Sequence, residues 1–121
     1  MRNAFSDHGA LARGVFSVAV LVSLTVLFTP GSDVPTAPPG VDKVVHGLLF
    51  AVLALSGRWA GVRRPVLAGL LVLYAAVSEV VQGLAPLDRS ASVGDVLADV
   101  AGLLIGLALW EALARRRAVP H

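Results

Sequence analysis

Apolar residues in this chain fall into four long runs, each closed by a short stretch of polar residues, glycine or proline. The first runs from Gly14 to Thr29 and stops at Pro30-Gly31. At about 1.5 Å of rise per residue it covers roughly 24 Å, and Leu11 to Arg13 bring it to the roughly 30 Å of a bilayer's hydrocarbon core. Gly31 to Val41 is rich in Pro, Gly, Ser and Asp and cannot be helical through its middle. Later breaks fall at the basic turn Gly61 to Pro65, at Pro86, and in the polar stretch Leu87 to Ser92. The pattern predicts helices at about 12–29, 42–59, 66–84 and 93–114. Their connections are short, so consecutive helices should be antiparallel and closely packed. A signal peptide competes for the first run, since Arg2 and Arg13 precede it. No small-x-small cleavage site closes it, and an uncleaved helix is the expectation.

Composition turns four helices into four membrane spans. Hydrophobic residues make up 56% of the 121 and mean hydropathy is +0.79, with only 15% charged. A soluble domain carries about 25% charged residues and cannot hide such long apolar runs at this size. The expected fold is an all-α membrane protein, one domain over 1–121, built as a four-transmembrane-helix bundle without internal repeats. The absence of cysteine excludes disulfides, thiolate metal sites and thiol nucleophiles. The basic pI does not point to nucleic acid, because the arginines sit at helix ends and form no stripe. Arg2, Arg13, Arg58, Arg63, Arg64, Arg115, Arg116 and Arg117 share one face of the membrane, and only Lys43 and Arg89 share the other. That bias places the N- and C-termini in the cytoplasm. Trp59 and Trp110 then fit as anchors near the inner interface.

With direction fixed, the polar residues of the spans gather at one depth. Asp42, Lys43 and His46 open the second helix, Glu79 and Gln82 close the third, and Asp95 and Asp99 open the fourth. All lie within roughly 10 Å of the outer boundary at about 1.5 Å per residue. The inner half carries no comparable group. Asp42, His46 and Phe50 share one face of the second helix, as Glu79 and Gln82 do on the third. Asp95, Asp99, Gly102 and Gly106 form a single stripe on the fourth. Glycines at that spacing let another backbone approach in lipid, so the stripe should face the bundle interior and carry both aspartates inward. Ionisable residues inside a membrane are costly, and a functional site is the default reading.

The series Asp42-Lys43-x-x-His46-x-x-x-Phe50, Glu79-x-x-Gln82, Pro86-x-x-Arg89-Ser90-x-Ser92-x-x-Asp95 and Gly102-x-x-x-Gly106 resembles the VanZ-like family of bacterial membrane proteins. The likeness spans about residues 40 to 110 and rests on the order and spacing of these pieces together. The family usually has Asn where this chain has Asp99, so the resemblance implies a site here that is more acidic or holds an extra proton. The resemblance implies a multi-pass protein of a bacterial plasma membrane. The family is named after a protein associated with resistance to the glycopeptide teicoplanin, and it implies no established reaction.

Three readings of the cluster remain open. The first is an outward-facing pocket for a cell-envelope ligand, a lipid headgroup or a glycopeptide-type antibiotic. Its binding set would be Asp42, Lys43, His46, Glu79, Gln82, Arg89, Asp95 and Asp99, with Arg89 and Lys43 receiving phosphate or carboxylate. The second is a membrane-embedded enzyme acting on a lipid-linked substrate, with His46 as base and Glu79 orienting it. No HExxH, paired His-x-His or nucleophile elbow supports it, and no catalytic residue is assigned. The third is architectural: Asp42 and Ser92 cap helices, while the other polar groups bond across the bundle. No cofactor or bound metal is expected, nor any nucleic-acid partner. Membrane lipid is the expected partner, and an oligomer stays open.

Overall fold

The computed structural model describes residues 9–28, 40–82 and 93–118, with the backbone alone at 42, 82, 117 and 118. These form four α-helices, with no strand among the described residues: α1 Ala10–Phe28, α2 Val41–Trp59, α3 Arg64–Gln82 and α4 Val93–Ala118. The spans match the apolar runs, and the differences lie at the ends. Helix α3 begins at Arg64, with Pro65 inside its first turn. Proline is tolerated there because its missing N–H has no intrahelical acceptor to lose. Helix α4 continues past the apolar run through its three arginines, where positive charge suits the carbonyl end of a helix. The cap of α2 is Gly40, with φ 90° and no side-chain cap bond, so Asp42 sits within the first turn and is not the N-cap.

Helices α1, α3 and α4 are long and apolar enough to cross a membrane. Helix α2 carries Asp42, Lys43 and Arg58 and falls outside that group. Leu21, Leu48, Leu73, Val80, Leu97 and Ile105 are each more than half exposed. Aliphatic surface on that scale is unusual in a soluble monomer and fits a lipid surround. Inside, Leu27, Phe50, Leu53, Leu67, Leu71, Leu103 and Leu107 make one core to which all four helices contribute.

Consecutive helices pack as the short connections predict. Between α2 and α3 the chain reverses at Gly61, whose φ of 103° is a left-handed conformation that suits glycine. There Val62 N–H donates to Gly57 O at 3.0 Å and Arg58 Nη1 donates to Val62 O at 3.0 Å, so the turn satisfies its own carbonyls. The broadest interface, however, joins α2 to α4, which are not consecutive and run parallel. Lys43 meets Asp95, His46 meets Asp99 and Arg58 meets Glu111, partners 52 or 53 residues apart at every level. Small residues allow this closeness. A Cβ on Gly102 would overlap the Gly47 carbonyl, and one on Gly106 would lie 2.5 Å from the Ala51 oxygen.

Candidate functional site

The end of the bundle where α2 and α4 begin is polar, and its side chains are paired across that helix interface. Nearest the end, Lys43 Nζ donates to Asp95 Oδ1 at 3.0 Å. The lysine side chain is half exposed while the aspartate is buried, so the ammonium stays hydrated as its stem covers the carboxylate. With that exposure the pair stabilises by about 0–1 kcal/mol. One turn deeper, His46 Nδ1 and Asp99 Oδ1 lie 2.9 Å apart, and both side chains are buried, at 1% and 0% exposure. Removing either partner of such a pair costs about 3–5 kcal/mol if a charge is left behind. A carboxylate acceptor requires the proton on Nδ1, which turns the Nε2 lone pair away from Asp99.

Below this pair lies an aromatic floor. Phe50 packs on Tyr74 with ring centroids 5.6 Å apart, tying α2 to α3. Tyr74 Oη shares a 2.9 Å hydrogen bond with Ser23 Oγ of α1, and Ser23 also donates to Val20 O at 2.7 Å. Helices α2 and α3 run in opposite directions, so one turn from Phe50 towards the polar end is His46 and one turn from Tyr74 towards it is Ser78, followed by Glu79. Ser78 is fully buried and donates to Ala75 O at 3.1 Å. Glu79 is buried at 5% exposure. Three helices therefore deliver His46, Glu79, Asp95 and Asp99 to one end of the molecule, each away from the surface.

Arg89 lies outside the described residues, as do the side chains of Asp42 and Gln82. Among the described residues, no three His, Asp or Glu side chains stand close enough together to hold a metal ion. A family model described as VanZ/LLP1 matches residues 9–114. The chain belongs to the VanZ/LLP1 family. No curated protein and no solved structure matches it. The VanZ/LLP1 match takes in α1, α2 and α3 whole, most of α4, and every described residue of the polar end.

Several features of this VanZ/LLP1 chain lie outside what the sequence pattern suggests. The carboxylate on His46 Nδ1 is Asp99, whereas spacing alone offered Glu79 as its orienter. Ser23 and Tyr74 join the cluster's floor. The signal for Tyr74 was available, since a lone phenol in the middle of an apolar run must find a hydrogen-bond partner. The opposite half is not empty of charge either. Arg58 Nη2 and Arg64 Nη1 each lie 3.5 Å from Glu111 Oε1, clasping the α2–α3 turn to α4. Glu111 is the sole acid in the arginine-rich half of α4, and that isolation was its signal.

Proposed function

We propose that this VanZ/LLP1 protein crosses a bacterial plasma membrane four times, with both termini in the cytoplasm and the polar end facing out. Helix α2 is the fourth span. Its first-turn charges sit at the boundary, where Lys43 reaches solvent, and its small-residue face is covered by α4. The polar end serves as a binding site for a cell-envelope ligand, a lipid headgroup or a glycopeptide-type antibiotic. What carries this reading is the buried His46–Asp99 pair with Glu79 at the same depth on a third helix. Two helices need one pair to stay together, and a third helix bringing a buried acid to that depth exceeds the demands of packing. Carboxylates there suit amines and sugar hydroxyls, while Lys43 and Arg89 suit phosphate or carboxylate.

A second reading is favoured by one observation. Both described pairs, Lys43–Asp95 and His46–Asp99, bridge the same two helices that the glycine contact joins. On that reading the polar end is a clamp. Glu79, on the third helix, separates the two readings. As part of a clamp, Glu79→Gln lowers yield and thermal stability together, by about 3–5 kcal/mol if it strands a charge. As part of a binding site, Glu79→Gln and Asp95→Asn stay folded and normally expressed, while the cell's altered sensitivity to an envelope-targeting antibiotic disappears. We expect the latter. Stable variants with unchanged sensitivity would end the binding-site proposal.

A further inference from the structure

A groove of about 800 Å³ opens between α1, α2 and α4 at the end opposite the polar cluster. Val15, Val52 and Leu113 line its walls, and each is substantially exposed. Trp59 and Trp110 flank it, and Arg116 stands at its end. The volume falls within the range of about 300–1,000 Å³ typical of small-molecule sites. Its position along the helices is distinctive. The apolar walls lie one to several turns inside the bundle, while Arg116 belongs to the last turns of α4, beyond the apolar run. Depth therefore changes from hydrocarbon to headgroup along the groove itself. Tryptophans at that boundary are the side chains that tolerate both media.

Charge names the occupant. Arg116 is exposed and has no ion-pair partner among the described residues. At the same end of the helices, Arg58, Arg63, Arg64 and Arg115 outnumber the acids among the described residues, where Glu111 is already shared by Arg58 and Arg64. A guanidinium with this surplus binds phosphate in a forked geometry. We infer that the groove holds one anionic phospholipid of the leaflet at the arginine-rich end. Its phosphate lies against Arg116, and an acyl chain runs between Trp59 and Trp110 along Val15, Val52 and Leu113. The inference rests on the chain spanning a bilayer and is independent of which end faces out and of any ligand at the polar end. The site is separate from the proposed envelope-ligand site, so the two fail separately.

The test uses the full chain's own fluorescence, because both of its tryptophans border the groove. The protein is reconstituted into phosphatidylcholine vesicles with rising fractions of acyl-brominated phosphatidylglycerol or acyl-brominated phosphatidylcholine, and tryptophan quenching is recorded. Quenching by the anionic lipid should reach half its maximum at about fivefold lower mole fraction, the equivalent of about 1 kcal/mol for one arginine near anionic headgroups. Arg116→Gln, an exposed change that leaves the packed helices alone, should erase that difference. Val52→Phe, which fills the wall without adding an indole to the readout, should release lipid of both kinds, but the proposal stands on Arg116→Gln if that variant misfolds. Equal quenching by both lipids in the unaltered protein would mean ordinary boundary lipid and overturn the inference. An unchanged preference in Arg116→Gln would overturn it as well, by assigning the preference to the general charge of that end. Absence of quenching by either lipid would show the groove covered by protein, and would overturn it too.

Discussion

At position 99 the His46 contact would accept either an Asp or an Asn. The 2.9 Å bond needs only an oxygen acceptor facing Nδ1–H, which an amide supplies as well as a carboxylate. A neutral imidazole donating its Nδ1–H keeps its bond to the amide oxygen, so replacing the anion in that state strands no charge. Asp99→Asn should therefore unfold in detergent at nearly the parent temperature. Asp99→Ala, which deletes the acceptor and leaves a buried N–H, should lose about 1–3 kcal/mol. Equal damage from both changes would show that the negative charge itself holds the pair together. The inward direction of Asp95 and Asp99 was legible from sequence, because they share a stripe with two glycines and all four residues are buried. The partner of each was not legible. Spacing along one helix fixes a face, but choosing between Asp99 and Glu79 for His46 requires the distance and rotation between helices. Arg58–Glu111 escaped for a different reason: both residues sit in a charged end where isolated ions in water need no explanation.

Between elements, the α2–α4 contact is sterically one-sided, and this distinguishes it from a symmetric small-residue motif. The Cβ of an alanine at 102 would collide with the Gly47 carbonyl, whereas one at 47 would rest 3.5 Å from the Ala98 oxygen, an ordinary contact. Gly102→Ala should thus push the helices apart and cost about 1–3 kcal/mol or more. Gly47→Ala should be neutral or gain up to about 1 kcal/mol of helix propensity. Gly69→Ala, where a Cβ would meet nothing within 4 Å, is the control. Thermal unfolding of the three variants in one detergent decides the matter. Similar losses at 47 and 102 would refute the one-sided contact. Helix positions were readable from the apolar runs to within a few residues, since hydrocarbon thickness sets span length. The identity of the closest pair was not. Short connections favour consecutive neighbours, and Gly47 and Ala51 look like ordinary span residues until a facing backbone is known.

For the molecule as a whole, the division of basic residues predicts sidedness, and a cysteine-free chain makes it simple to test. Single cysteines at Thr36 or Asp88 should react with a membrane-impermeant reagent in intact cells, and cysteines at Arg64 or Arg116 should react only after lysis. Labelling at 64 without labelling at 36 would invert the protein and place the polar end in the cytoplasm. The parallel α2–α4 pairing also imposes an order of events on biosynthesis. Helix α2 leaves the ribosome 52 or 53 residues ahead of the aspartates and the glutamate that receive its cations and imidazole. At about 5–20 residues per second, α4 follows on the order of three to ten seconds later. During that interval α2, the helix outside the group apolar enough to cross a membrane, has only α1, and then α3, for company. Its small-residue face and its half of every interhelical charge pair wait for a segment not yet made, so the last helix to be synthesised is the one that secures the second.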